Sequence, residues 1–412
     1  MFSRQLRTFR QRHRQLYKTT TCFLSSYSHP QGDNNDDAVK KKAVTEESPP
    51  RKGRPHPRNS FQGTYNMDRL VSSYPLLGPH VILGPTGRPT VDWADPTSVR
   101  ALNTALLVAD YGVDSNYSDR LPLGALFPPV PGRADYVHHI ADALQKSLLS
   151  EDDDDVSDHV GDGGAVPMGP AVTGMDIGTG ASCIYPTIAT SIYGWRMIAS
   201  DVHPSSIASA RDIVRANGQE NLIDVRHQES ISDIFDGVLR TGERIDFAMC
   251  NPPFYSSREA FRAENARKLR GLSKSKKKGG ANRKGDRVMP NEEVVGSPPT
   301  ISISRASSNN FVGTDSELWC EGGEVAFVKR IIVESKRYWD RCLWFSSLVS
   351  RKNNLTEIER SFRNDGKKNG RRGVQTVQRV PMGAGRKSST ILMWSFLDEG
   401  ERRDWARVRH WG

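Results

Sequence analysis

The stretch Ile245-Asp246-Phe247-Ala248-Met249-Cys250-Asn251-Pro252-Pro253-Phe254 joins a mostly apolar run to two consecutive prolines. The run reads as a buried strand. Two prolines straight after it remove N–H donors and fix φ, so the chain must leave the sheet there as a stiff loop. Asn251 is thereby held at the carboxyl end of a strand, where open α/β sheets place their ligands. Its side-chain oxygen and the Pro252 carbonyl can accept the two N–H bonds of a planar exocyclic amine, and Phe254 offers a face to the ring carrying it. Polarising such an amine as it attacks needs positioned acceptors and no strong base. The same residues also read as a Pro-Pro turn with a capping asparagine, so the neighbouring sequence has to decide.

Upstream, residues 171–177 form an apolar strand that leads into Gly178-Thr179-Gly180, with a helix from about Ser182. Glycine lets the backbone come close to a bound nucleoside, because it has no Cβ to collide with it. A second strand, Arg196–Ser200, ends at Asp201, where an acid can grip a ribose diol. No third glycine completes a dinucleotide pattern and no basic residue awaits a pyrophosphate, which favours S-adenosylmethionine over a nicotinamide dinucleotide. A helix after Pro204 and a strand at Leu222–Arg226 follow. Just beyond that strand, Ser230 reads either as a bond to adenine or water or as an ordinary loop serine. A glycine loop after strand one, an acid after strand two and NPPF after strand four are in the order of a methyltransferase sheet. Farther on come a helix carrying Val325, Val328, Ile331 and Ile332, a fifth strand at Cys342–Val349, and two closing strands at Gly373–Val380 and Thr390–Phe396. Two strands without a helix between them predict an antiparallel hairpin. The expected fold is therefore α/β, a class I Rossmann-like seven-stranded sheet whose last strands are antiparallel.

The chain has 412 residues, 36% of them hydrophobic, and a net charge of +10. These values predict one main core, a small module and long unpacked segments, and the charge favours a polyanionic partner. Cys22, Cys183, Cys250, Cys320 and Cys342 show no metal spacing, so no metal is expected. No apolar run approaches a membrane span. Residues 1–54 are a basic extension with Arg4, Arg7, Arg10, Arg12, Arg14 and Lys18, composed like a mitochondrial presequence and equally like an RNA-binding arm. In the segment 55–150, Asp95-Pro96 starts one helix and a second is expected from about Asp135; their apolar faces can form a module or pack on the larger domain. Residues 151–170 are an acidic and Gly-rich linker. The main domain spans 171–398 and is interrupted at 258–312 by a basic stretch that includes Lys274, Lys276, Lys277 and Lys278. That stretch reads as an RNA-contacting flap, a solvated insertion or a nuclear localisation signal. Residues 399–412 are a tail.

DIGTGASCIYP at 176–186, CNPPF at 250–254, EGGEVAFVKRII at 321–332 and WSF at 394–396 resemble the methyltransferase-like 16 family of U6 small nuclear RNA adenine-N6 methyltransferases. So do HPRN at 56–59, DPTSVRAL at 95–102 and VPGRADYVHHI at 130–140. Bacterial relatives of that family methylate adenine in large-subunit ribosomal RNA. The resemblance implies methyl transfer from S-adenosylmethionine to adenine N6 in a structured RNA, with U6 small nuclear RNA as the expected substrate, in the nucleus, by a monomer. It implies a helical amino-terminal RNA-binding module, with His56, Arg58 and Asn59 at the RNA. It also implies Arg133, Gly178, Ser182, Asp201, Ser230 and Asn251 as cofactor residues, with Arg133 meeting the methionine carboxylate, and Asn251, Pro252, Pro253 and Phe254 at the reacting amine. Asp201 stands where the family commonly has Glu, and Ser230 where it has Thr. Three alternatives remain open: a ribosomal or mitochondrial RNA substrate, a protein glutamine methyltransferase, and an idle RNA-binding protein.

Overall fold

A computed structural model describes residues 54–122, 125, 127–148, 165–257, 259, 320–363, 372–384 and 387–411, all within one compact unit, Pro50–Gly412. In chain order come α1 (Met67–Ser73), the short antiparallel pair β1 (Val81–Leu83) and β2 (Pro89–Val91), α2 (Pro96–Tyr111) and α3 (Val130–Lys146). The main domain follows with β3 (Thr173–Ile177), α4 (Ile184–Tyr193), β4 (Arg196–Asp201), α5 (Pro204–Ala216), β5 (Ile223–His227) and β6 (Ile245–Cys250). After the basic stretch come α6 (Gly323–Ser335), β7 (Cys342–Val349), α7 (Lys352–Arg363), β8 (Thr376–Ala384), β9 (Lys387–Ser395) and α8 (Glu399–Val408).

The large sheet has seven strands in the order β5-β4-β3-β6-β7-β9-β8, parallel through β7 and antiparallel at β9 and β8. This is the expected sheet. The closing hairpin runs later than expected at its first strand, ending at Ala384, because its register carries pairing on to Ala384↔Lys387. All six residues of β6 are buried. From Phe247 on, Phe247 and Met249 join the core on one face while Ala248 and Cys250 join the core on the other, the period of two that a strand covered on both sides requires; Ile245, at the start of the strand, departs from it and joins the second cluster.

Helices α2 and α3 pack on the sheet rather than standing apart: Leu106, Tyr136, Ile140 and Leu144 share one hydrophobic cluster with Trp195, Phe247 and Trp344. Asp95 caps α2, accepting from the backbone of Thr97 and Ser98. Helix α3 starts at Val130, before the expected Asp135. Pro131 sits in its first turn, where a missing N–H costs nothing, and the Val130 N–H goes to Asn103 Oδ1 at 2.9 Å. The tail is partly structured. Asp398 and Glu401 form a capping box that starts α8, and Trp405 and Trp411 are buried.

Candidate active site

The strand order reverses between β3 and β6, and the register Ile177↔Cys250 places the glycine loop beside Asn251 at their carboxyl ends. A crevice is expected at such a switch point. A cleft of about 840 Å³ opens there, and its wall includes Arg133, Gly178, Ser182, Asp201, Asn251 and Pro253. Elements widely separated in sequence thus bring together most of the expected site residues.

Gly178 has φ +71°, and a Cβ there would meet nothing within 4 Å, so backbone conformation rather than space demands glycine. Asp201 is buried; its Oδ2 accepts from Gly180 N and its Oδ1 from His203 N, both at 2.9 Å. The acid therefore also braces the glycine loop. Arg133 lies on the first turn of α3, where Nη1 donates to Tyr185 Oη at 2.8 Å. The next turn of α3 carries Tyr136, whose hydroxyl meets Ser346 Oγ at 2.9 Å, so packing against the sheet fixes how Arg133 is presented.

Three residues expected at the site, Ser230, Pro252 and Phe254, lie off the cleft wall. Ser230 is half-buried and its hydroxyl meets Ser232 Oγ at 2.9 Å; the next residues, Ile231 to Ile234, line the wall instead. Phe254 is 38% exposed at the end of the stiff loop, and Pro252 is buried beneath it. Below the loop, Cys320 N donates to Tyr255 O at 3.1 Å. A Cβ on Gly323, at φ +64°, would lie 3.2 Å from Ser256 backbone. The basic stretch therefore leaves and rejoins the fold at the mouth of the cleft; Lys274, Lys276, Lys277 and Lys278 lie outside the described residues.

The expectation for His56, Arg58 and Asn59 is corrected, because all three turn toward α3. His56 and Asn59 are buried, with His56 N and Asn59 Nδ2 both donating to Asp135. Arg58 pairs with Asp142 at 2.5 Å and donates to the His138 carbonyl at 2.9 Å. The motif fastens the chain to α3 instead of presenting a surface to RNA. His56, His139 and Asp142 cluster as cation ligands do. However, His56 Nδ1 accepts the Arg58 N–H at 3.0 Å, so its Nε2 carries the proton that faces Asp142. With Arg58 on the same carboxylate, the cluster is an ion-pair network rather than a cation cradle.

Asp176 was not among the expected cofactor residues. Its carboxylate and the Thr179 hydroxyl are buried and near each other, but neither makes a well-formed hydrogen bond among the described residues. Burial pushes the Asp176 carboxyl up to about 7, opposed by Thr179, raised further by Asp201 and lowered by Arg133. Asp176 directly precedes Ile177 and Gly178 of the cleft wall, and a buried acid there with Arg133 on the wall fits a zwitterionic amino acid end: Asp176 would take the ammonium and Arg133 the carboxylate. Asp201 would take the ribose hydroxyls, and Gly178 would let the nucleoside approach. The pH dependence follows. Below about 7 Asp176 is protonated in the free protein, so affinity for S-adenosylhomocysteine is expected to fall by up to about tenfold per unit on the acid side. Calorimetric titration from pH 5.5 to 8.5 should show this slope, and Asp176→Asn should flatten it. A flat wild-type profile would exclude the assignment.

The seven-stranded sheet and a cleft of this composition define an S-adenosylmethionine-dependent methyltransferase. The family described as RNA methyltransferase matches residues 51–398, and the chain belongs to that family. It is 40% identical over 360 residues to the ribosomal RNA large subunit methyltransferase F of Pseudomonas putida, covering 87% of this chain and 98% of that one. The Cronobacter sakazakii protein of the same name is 40% identical over 355 residues, covering 86% and 97%. Among solved structures, the human METTL16 catalytic domain in complex with MAT2A 3'UTR hairpin 1 is similar, with a TM-score of 0.58 and 29% identity, covering 84% of this chain and 96% of that chain. The amino-terminal domain of human METTL16 in complex with SAH has a TM-score of 0.56 and 26% identity, covering 84% and 100%.

Proposed function

We propose that this chain transfers a methyl group to the exocyclic N6 of an adenosine in structured RNA. The observation that carries the reading is Asn251 Oδ1, which is buried at the carboxyl end of β6 without a hydrogen-bond partner among the described residues. An acceptor in that state is costly unless a donor arrives. An exocyclic amine supplies one N–H to this oxygen and a second to the Pro252 carbonyl. Both bonds draw density toward the nitrogen as it forms its bond to carbon. S-adenosylmethionine, when bound, supplies the electrophilic methyl. Methylation of the amine releases one proton, which would pass to solvent, while Asn251 Oδ1 and the Pro252 carbonyl would hold its N–H bonds. Lifting a base out of a stack costs a few kcal/mol, and an exposed Phe254 at the cleft mouth can return roughly 1–3 kcal/mol by stacking.

For the RNA, the 40% identity over nearly the whole length of ribosomal RNA methyltransferases supports a large-subunit ribosomal RNA. U6 small nuclear RNA is the reading that goes with the methyltransferase-like 16 resemblance, and the likeness to a human catalytic domain bound to an RNA hairpin supports a hairpin-shaped target for either. The compartment follows the substrate: a nuclear protein for U6, a mitochondrial one if the arginine-rich residues 1–54 act as a presequence. The test is transfer of labelled methyl to total RNA from the source cells, fractionated before nucleoside analysis. Label in N6-methyladenosine of a large ribosomal RNA is expected. Label in the U6 fraction would move the assignment there, and label only in protein would favour glutamine methylation and end the RNA-adenine reading.

A further inference from the structure

Helix α6 grips the loop between β5 and β6 from two sides. Glu334, near the end of the helix and 5% exposed, accepts N–H bonds from Ile234, Phe235 and Asp236 at 2.8, 2.7 and 2.9 Å. One turn earlier, Arg330 Nη1 donates to the Ile231 carbonyl at 2.7 Å, with its guanidinium 5.1 Å from the Phe327 ring centre. Charge sorts the contacts: the anion collects amides and the cation takes a carbonyl. Between the two grips lie Ile231 to Ile234, the part of the loop that lines the cleft.

One end of this loop needs an external hold. The Ile231 side chain is 78% exposed, so its own packing does not keep it at the wall, whereas Ile234 packs in the core. The loop also starts where the cofactor site ends. His227 is in register with Asp201, and Gln228 N donates to Asp201 O at 2.9 Å. A nucleoside whose ribose meets Asp201 therefore points its base toward this loop.

We propose that Arg330 and Glu334 are positioning residues for S-adenosylmethionine, holding Ile231 to Ile234 as the wall against which its adenine lies. The proposal rests on the assignment of Asp201 to the ribose. It makes the affinity for the cofactor, and not that for RNA, depend on Glu334, which lies off the cleft wall, and on Arg330, which also lines it.

The experiment is calorimetric titration of the full chain with S-adenosylhomocysteine, beside fluorescence anisotropy with an RNA hairpin carrying unpaired adenosines. In Arg330→Gln and Glu334→Gln the Kd for S-adenosylhomocysteine is expected to rise about tenfold, the effect of losing a bond to a charged group. The Kd for the hairpin should stay within about twofold, and Arg330→Lys, which keeps one donor, should recover most of the loss. Because Arg330 is only half-buried, its variants carry the test should Glu334→Gln fail to fold. Unchanged affinity for S-adenosylhomocysteine in Arg330→Gln would overturn the proposal. So would parallel loss of both affinities with a fall in melting temperature, which marks a role in stability alone. If Asp201→Ala bound S-adenosylhomocysteine like the wild type, the ribose assignment would fail instead, and the clamp would lose its ligand.

Discussion

Replacing Asn251 by alanine is expected to lower the rate of methyl transfer by about 10²–10³-fold, the usual cost of removing one preorganised polar contact to a reacting group. The buried Oδ1 of Asn251 has no partner among the described residues, so alanine breaks no hydrogen bond of that atom there and little stability should be lost. The Pro252 carbonyl remains, but alone it cannot orient the amine, because one acceptor leaves the ring free to pivot. Cofactor affinity should change less than about tenfold, since Arg133, Asp201 and the glycine loop are separate parts of the wall. Single-turnover methylation and titration with S-adenosylhomocysteine separate the two effects. Asn251→Asp keeps an acceptor and should retain more activity than alanine. Near-normal turnover in Asn251→Ala would remove the residue from the mechanism.

The central strands of the large sheet, β3, β4, β6 and β7, were legible because they are buried on both faces. Cys342–Val349 has all eight residues buried and no polar residue larger than serine, and it could be bounded in full from the sequence. NPPF could be placed for a similar reason: two prolines end a strand whatever surrounds them. Arg133 was not legible from local pattern. Its meaning depends on α3 starting at Val130 and on Tyr136 setting the helix against β6 and β7, contacts made across more than a hundred residues. The HPRN motif misled in the other direction. A His-Pro-Arg-Asn string looks like a basic surface, and only the positions of Asp135 and Asp142 on α3 show that it faces inward. Helix α8 escaped notice because Glu399–Val408 is mostly Glu, Arg and Asp, with Trp405 and Ala406 as its buried residues. Such a helix forms because it is docked, not because its own pattern demands it.

That docking bears on the one acid in the central apolar run, which local sequence does not explain. Asp246 is fully buried in β6, and α8 with the residues after it supplies its partners: Trp405 Nε1 at 2.8 Å, Arg409 Nε at 3.0 Å and Arg409 Nη2 at 3.0 Å, besides Thr173 N at 2.6 Å. Arg409 also donates to the Ala171 carbonyl at 3.0 Å, so one guanidinium ties the base of β3 and β6 together. Arg409→Ala is expected to destabilise the fold by about 3–5 kcal/mol, since it leaves a buried charge half-compensated. For a chain of this size the thermal midpoint should fall on the order of 10 °C. The sign of the pH effect distinguishes this cause from lost packing. Burial already raises the Asp246 carboxyl above its ordinary range, and the Arg409 charge is the main opposing influence. Without it the folded-state value climbs further, so the variant binds a proton on folding and loses stability as pH rises. The deficit relative to the wild type should thus be largest at neutral pH and shrink toward acid. Asp246→Asn in the Arg409→Ala background, which removes the charge itself, should restore part of the midpoint and abolish that pH dependence. A deficit independent of pH would assign the loss to the packing of α8 instead.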